Sequence, residues 1–451
     1  MNAPGLATRP PAARTLTRAI SLTLAGQGGM LLCSTVSSLL VARLLGPSGK
    51  GVLSTAIIVG GLVGLLIEPG LRAGVIRTIA AGRAGWREGL ATMALVYGVL
   101  CILVLPLLAV LLWNAHGRWF HDIPYAVLLL ALAGVPVGLF EGSLTALLIG
   151  QQRMPEVSGI WALERAGALA GLLLLVWLSR WGVLGGMLAQ LGGTVLGIGL
   201  LWHLLARMPA ATWRVRHDLL PALLRFGVLW YARNLATSLN YRLDALIVFI
   251  LIGPYEAGLY AVAVSLAELL QQLPSSIDAV LFPRVSRGDM PDAARSTARL
   301  SRCTVLVTVL GGVALALLAR PLLLLFGAQF TQGYWALVLL LPGMVVLGQS
   351  KVICSDMLGR GEGRYPALAS WSALLGTIAL DCILIPRWGI AGAAFASTIA
   401  YSMGAFVALR GYRAMTGVGV VALYGIRPAE IALGAQRLGG LLLRARGRAV
   451  H

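Results

Sequence analysis

Charge is what this sequence has least of: Asp, Glu, Lys and Arg make up 12% of its 451 residues, against roughly 25% in soluble domains. With 58% apolar residues and a mean hydropathy of +0.84, the chain holds more apolar surface than a water-soluble core absorbs. Cysteine is also scarce. Cys33, Cys101, Cys303, Cys354 and Cys382 all fall inside apolar runs, which argues against a disulfide framework or zinc site and for small packing residues. Of five histidines, His116 and His121 share one short loop without metal-ligand company and read as surface residues.

The sequence does have long apolar runs of about 20 residues or more, the length a helix needs to cross roughly 30 Å of hydrocarbon. Twelve spans are expected, near 19–42, 52–71, 89–113, 124–149, 157–178, 183–206, 225–250, 256–282, 298–318, 332–358, 365–385 and 389–409. The first run is too long for a signal-peptide core, carries Gln27 and leads straight into further spans, so it is expected to be retained.

The net charge of +19 is a matter of position rather than of nucleic acid. Arginines gather in alternate loops, with Arg72, Arg77, Arg83 and Arg87 in one and Arg284, Arg287, Arg295, Arg299 and Arg302 in another. The positive-inside rule makes those loops and both termini cytoplasmic, and the basic excess also suits anionic lipid. Every external loop is then about a dozen residues or fewer. That leaves little room for the acidic or His/Arg groups of a polytopic glycosyltransferase or ligase, so no enzymatic activity is expected. After Tyr412, Pro428 starts a stretch in which Ile431, Leu433, Leu438, Leu441 and Leu442 alternate with Arg437, Arg444 and Arg446. It reads as an interfacial amphipathic helix.

One offset organises the chain. Gly46-Pro47, with Gly51, recurs as Gly253-Pro254, with Gly258, 207 residues on; the same offset carries Arg77 onto Arg284, Arg180-Trp181-Gly182 onto Arg387-Trp388-Gly389, Gly185 onto Gly392 and Ala189 onto Ala396. The expected organisation is therefore a cytoplasmic tail (1–18), a six-helix lobe (19–206), a cytoplasmic amphipathic linker (207–224), a second six-helix lobe (225–409) and a basic tail (410–451). Six spans per repeat give both lobes one orientation, related by a pseudo-two-fold axis along the membrane normal. That is a transporter architecture, with the substrate site between halves.

Polar residues inside spans mark the expected site, because they are costly in hydrocarbon and face a cavity or a partner. At 100° per residue, Trp230, Arg233, Asn234, Thr237, Asn240, Tyr241 and Asp244 lie within about 120° on span 7. On the matching span 1, Thr23, Gln27, Ser34 and Ser38 share a stripe, and Gln27 maps onto Asn234. The two stripes are read as lining one central space, with helix–helix hydrogen bonding as the competing account. Arg233 there suits a phosphate as a forked donor, or snorkels to the cytoplasmic face. Arg165, beside Glu164, is a second cationic candidate, or neutralises Glu164 or Glu141. Arg242 falls opposite the stripe, so it pairs elsewhere or marks an irregular stretch of helix. Thr377 and Asp381 on span 11, with Ser397 on span 12, form a second group that binds Na⁺, shuttles a proton or is a hydrogen-bonded packing group.

Three motifs carry a resemblance. Ala42-Arg43-Leu44-Leu45-Gly46-Pro47, with Gly51 and Arg77, is the first; Arg242-Leu243-Asp244, then Gly253-Pro254, Gly258-Leu259-Tyr260, Glu268-Leu269-Leu270 and Phe282-Pro283-Arg284, is the second; Leu384-Ile385-Pro386, Gly389-Ile390 and Gly392-Ala393-Ala394 is the third. Together they resemble the bacterial polysaccharide-export (Wzx-type) flippases of the multidrug/oligosaccharidyl-lipid/polysaccharide (MOP) superfamily over residues 18–412. The resemblance implies a MATE-like all-α fold in the inner membrane. It also implies flipping of undecaprenyl-pyrophosphate-linked oligosaccharide from the cytoplasmic to the periplasmic leaflet by alternating access, with glycosyltransferases and a polysaccharide polymerase as partners. A related lipid II flippase or a cation-coupled drug antiporter is the alternative. The spacing of Thr377, Asp381 and Ser397 also resembles a sodium site of lipid II flippases, and no other cofactor is implied. If Asp381 couples an ion, Asp381→Asn changes the Na⁺ or pH dependence of transport in vesicles; an unchanged dependence makes it a packing residue.

Overall fold

The computed structural model describes residues 13–209, 212–216, 218, 221, 231, 234–286, 288 and 293–425. Trp230, Arg233 and the basic stretch after Pro428 lie outside them. The described regular elements are all helical, as expected of a chain in hydrocarbon, where each backbone N–H and C=O must find its partner within the segment. Eight described helices are long and apolar enough to cross a membrane.

In chain order the helices are α1 (Ala13–Ile67), α2 (Leu71–Ala80), α3 (Trp86–Trp119), α4 (Tyr125–Gly150), α5 (Met154–Leu172, ending in a π turn, Leu173–Leu178) and α6 (Gly182–Ala206). They continue with α7 (Leu243–Leu251), α8 (Pro254–Ala267), α9 (Gln272–Ser286), α10 (Ala293–Phe326), α11 (Tyr334–Gly359), α12 (Arg364–Thr416) and the short α13 (Val420–Tyr424).

Two of these are far too long for one crossing. The 55 residues of α1 would measure about 80 Å at 1.5 Å per residue, yet Gly46 interrupts them with φ 67°, immediately before Pro47. The 53-residue α12 breaks at Gly389, with φ 59°. Left-handed backbone is open to glycine at little cost, so each helix divides there into two arms, matching the expected spans 1 and 2 and spans 11 and 12.

The 207-residue offset reappears in these torsions. Gly46 and its mate Gly253 both have positive φ, 67° and 122°, and so do Gly182 and Gly389, 58° and 59°. A Cβ on Gly51 would collide with the carbonyl oxygen of Pro254, and one on Gly258 with that of Pro47. The contact is reciprocal: each Gly-Pro helix start lies against the glycine one turn into the other. Two copies of one short motif related by an approximate local two-fold meet in this way.

The chain divides into two compact units, residues 1–262 with 322–333, and residues 263–321 with 334–451. Both are assembled through small residues, which let backbones approach where water supplies no driving force. In the first unit, Gly26 and Gly29 of α1 pack on Ser158 and Ala162 of α5, so the two helices run parallel. Gly193 and Gly197 of α6 pack on Glu164 and Ala168 of α5. In the second unit the arms of α12 fold back on each other, with Gly404 on Ala369, Gly376 on Ala400 and Gly411 on Tyr365.

Exposed tryptophans mark the ends of the spans. Trp113, Trp119, Trp177, Trp181, Trp335 and Trp388 are each at least half exposed and all sit at ends expected to be external, the belt position of amphipathic rings. At the opposite end Trp202 and Trp213 stack, and Trp86 meets both edge to face. Trp213 belongs to the linker, whose described residues 213–216 dock onto α3: the Arg216 N–H donates to Thr92 Oγ1 at 3.1 Å, and its guanidinium lies 3.7 Å from Glu88.

Gly51→Ala and Gly258→Ala are each expected to destabilise the protein by about 1–3 kcal/mol through overpacking. Because they relieve or strain one shared contact, the double variant should cost less than their sum. Thermal unfolding in detergent checks both statements.

Candidate functional site

The polar interior of the first unit starts at a break in the apolar pattern. Pro69 has no N–H and cannot continue α1; Gly70, at φ 79°, turns the chain into α2. The break brings Glu68 and Arg72 together at 2.6 Å, with side chains 15% and 35% exposed. The Arg72 guanidinium lies over α4 where Gly142 leaves space for it, since any Cβ there would strike it. Tyr97 on α3 faces the pair, with its hydroxyl in side-chain contact with the Arg72 guanidinium and within electrostatic reach of Glu68, while Arg72 Nε makes no hydrogen bond.

Further along, α4, α5 and α6 contribute two more carboxylates. Thr145 donates to Glu141 at 3.1 Å, and Thr194 of α6 donates to the buried Glu164 at 3.3 Å. Arg165 approaches Glu164 only to 3.9 Å and keeps 36% of its side chain exposed. The pairing with Glu164 is therefore real but loose, and the guanidinium stays accessible. Glycine at 197 makes room for the acid, because a Cβ there would sit 3.3 Å from Glu164 Oε2. Gln27 is half-buried on α1, next to the Gly26–Ser158 contact, so it and Arg165 sit on adjoining parallel helices.

Span 7 is not one continuous helix. Residues 234–240 are helical, a turn follows at Tyr241 and Arg242, and α7 starts at Leu243. The Arg242 N–H donates back to Leu239 at 3.0 Å, tightening the last turn. The irregular stretch is the one that accounts for Arg242, whose guanidinium packs over Gly61 of α1. Asn234 and Tyr241 are half-buried and Asp244 is buried. Asp244 accepts from the Tyr260 hydroxyl at 2.7 Å and from the Ala245 N–H at 2.7 Å, so its carboxylate ties α7 to α8.

In the second unit Thr377, Asp381 and Ser397 are all fully buried. They occupy opposing arms of α12, between the Gly376–Ala400 and Gly392–Leu384 contacts. Two polar clusters there were not anticipated. Asp356, fully buried, accepts from Arg360 at 2.9 Å and from the Tyr412 hydroxyl at 2.7 Å. The segment after Gly417 folds back into the unit: Ser301 Oγ donates to Leu423 O at 3.0 Å, Arg302 donates to Ala422 O, and Tyr424 donates to Gln349 at 2.6 Å. Burial pushes the Tyr424 phenol up to about 12, so it remains a neutral donor. The sequence signals were faint: an Asp and an Arg four apart at a span end, and a Glu-Pro-Gly-Leu-Arg interruption at the end of span 2.

Residues 40–334 match the family model described as "Polysaccharide biosynthesis protein". Over 377 residues, 81% of this chain and 73% of the relative, the sequence is 24% identical to the succinoglycan biosynthesis transport protein ExoT of Rhizobium meliloti (strain 1021). Among solved structures, the fold resembles the lipid II flippase MurJ in an inward closed conformation, with TM-score 0.69 and 14% identity over 88% of this chain and 87% of that one. It also resembles an inward-facing multidrug resistance MATE family transporter of the MOP superfamily, with TM-score 0.64 and 16% identity over 88% and 94%. The Vibrio cholerae MATE transporter VcmN gives 0.60 and 16% over 91% and 98%. At these identities the structural likenesses establish the fold alone, that of MOP transporters.

Removing Arg72 leaves Glu68 an uncompensated acid in a largely apolar setting. Arg72→Gln is expected to destabilise by about 2 kcal/mol, below the 3–5 of a fully buried pair because Arg72 is partly exposed. Glu68→Gln added to it should recover most of the loss, as read by thermal unfolding.

Proposed function

The chain belongs to the polysaccharide biosynthesis protein family, whose model covers residues 40–334, and on that premise we propose that it flips a lipid-linked oligosaccharide. In this reading it takes undecaprenyl-pyrophosphate-linked units from the cytoplasmic to the periplasmic leaflet of the bacterial inner membrane by alternating access, with both termini cytoplasmic. Glycosyltransferases would supply the substrate and a polysaccharide polymerase would receive it. One observation carries the reading: in the first unit, Arg72 at the end of span 2 and Arg165 within span 5 are paired with carboxylates yet keep about a third of each side chain accessible. A cation held in place in a low-dielectric setting, with donors left over, suits a pyrophosphate. The relative named as a succinoglycan biosynthesis transport protein agrees with a glycan cargo.

Gln27, Asn234 and Tyr241 supply the amide and phenol groups that sugars need, and Trp230 and Arg233 extend the same stripe in sequence. Asp244 holds α7 against α8 and thereby positions that stripe. Thr377, Asp381 and Ser397 are the proposed ion-coupling group, taking Na⁺ or H⁺. A carboxylate among hydroxyls is chemically suited to either.

The test is translocation of a fluorescent lipid-linked oligosaccharide in proteoliposomes. Wild type is expected to move it, while Arg165→Ala and Arg233→Ala insert normally and lose on the order of tenfold or more, the scale of a lost charge-assisted contact. Full activity in both variants removes the cationic site, and no movement by wild type removes the function.

A further inference from the structure

Of the 36 lysines and arginines only two are lysine, Lys50 and Lys351. Each ammonium is bonded to a serine of another segment, Lys351 to Ser275 in the second unit and Lys50 to Ser38 in the first, both at 3.0 Å. Lysine brings a compact charge on a flexible stem with three donors, where arginine brings a rigid fork.

Lys50 stands in the first turn after the Gly46 break, at the positive end of a helix arm, a place that disfavours a further positive charge. It is also close to the end expected to be external, where a lysine ordinarily snorkels outward to water. Arg43, on the other side of the break, stays exposed and caps the last turn of α10, its Nε donating to the Leu325 carbonyl at 2.7 Å. Lys50 does the reverse. Ser38 is eight residues before Gly46, about 12 Å along the first arm, whereas Lys50 is four residues beyond it, about 6 Å along the second. The half-buried side chain therefore runs back from the bend, inward along the face that carries Ser34 and Ser38.

It meets no acid there. Among the described residues Lys50 has no carboxylate partner, and Glu256, in the first turn of the helix packed on Gly51, forms no ion pair with it. Ser38 accepts from the ammonium and donates its own proton to no acceptor among the described residues. Protons of the ammonium and of the hydroxyl are thus open at one point, around a charge without a counter-charge. Inside a membrane that is costly unless an anion shares the site, and donors of this sign and number suit a phosphate oxygen. The position fits a crossing. Seventeen residues separate Lys50 from Ile67, beside the Glu68–Arg72 pair, about 25 Å along one arm and close to the hydrocarbon thickness.

We propose that Lys50 and Ser38 form a phosphate site at the external end of the first unit, where the pyrophosphate of the cargo is received after crossing. The proposal rests on the flippase reading and adds an exit to it, opposite Arg72.

With Lys351 changed to arginine, Lys50 carries the one lysine amine of the chain, and its acylation by an N-hydroxysuccinimide ester is read from its peptide by mass spectrometry. For the full chain in phosphatidylcholine nanodiscs, polyprenyl pyrophosphate should slow that reaction several-fold. Ser38→Ala should raise the concentration required on the order of tenfold, the loss of a hydrogen bond to a charged group. Lys50→Gln should lower translocation in proteoliposomes on the order of tenfold with the melting temperature unmoved; a lower melting temperature with full translocation makes Lys50 a link between the arms and overturns the proposal. Equal protection by phosphatidylglycerol, a headgroup source of the same phosphate, overturns the assignment to the cargo, as does protection by polyprenol without phosphate or protection unchanged in Ser38→Ala. If native mass spectrometry shows wild type retaining polyprenyl pyrophosphate while Lys50 reacts at full rate, the site fails and the flippase reading stands. If wild type retains none, both fail.

Discussion

Hydrocarbon offers a backbone nothing to bond to, and most of this structure follows from that constraint. Each described segment in the membrane is helical because helix is the conformation in which a single strand satisfies itself. Reversals of direction then have to be made in very few residues. They fall on Gly46, Gly182, Gly253 and Gly389, all with positive φ, a conformation that costs glycine little and other residues more. Association faces the same limit, since lipid is as apolar as leucine. Packing contacts take the place of the hydrophobic effect, and the helices meet at Gly26, Gly193, Gly376 and Gly404, where the missing side chain brings backbones close.

The constraint applies with more force to charge. A carboxylate in this setting requires a donor or a cation, and three acids of the first unit have one: Arg72 for Glu68, Thr145 for Glu141, Thr194 for Glu164. The hydroxyl partners satisfy an acid without cancelling its charge, which leaves Arg165 only loosely held. In the second unit the Asp356–Arg360–Tyr412 group closes on itself and has no such surplus. Polar groups that lock helices together and polar groups with capacity to spare are thus distinguishable by their bonding.

The same logic separates Asp244 from its neighbours on the stripe. Its two acceptor oxygens are used by Tyr260 and by the chain's own backbone, so it acts on the geometry of α7 and α8. Arg242 owes its position to the turn at Tyr241: without that break it would point away from the stripe, and with it the guanidinium reaches Gly61.

Class, spans and repeat were legible in the sequence because they depend on quantities that add along the chain: mean hydropathy, run length, and a spacing of 207 residues that the torsions of Gly46, Gly253, Gly182 and Gly389 later matched. The stripe on span 7 was legible only as far as residue 240, since a fixed 100° step assumes an unbroken helix and the chain turns at Tyr241. Which charges pair was not legible at all beyond neighbours in sequence. Glu164 and Thr194 are thirty residues apart, and Arg72 lies against Gly142 and Tyr97, on two other helices. Sequence alone determined that charges would be buried in a membrane; the partner of each, and so which remained available, depended on distances between helices that only tertiary packing sets.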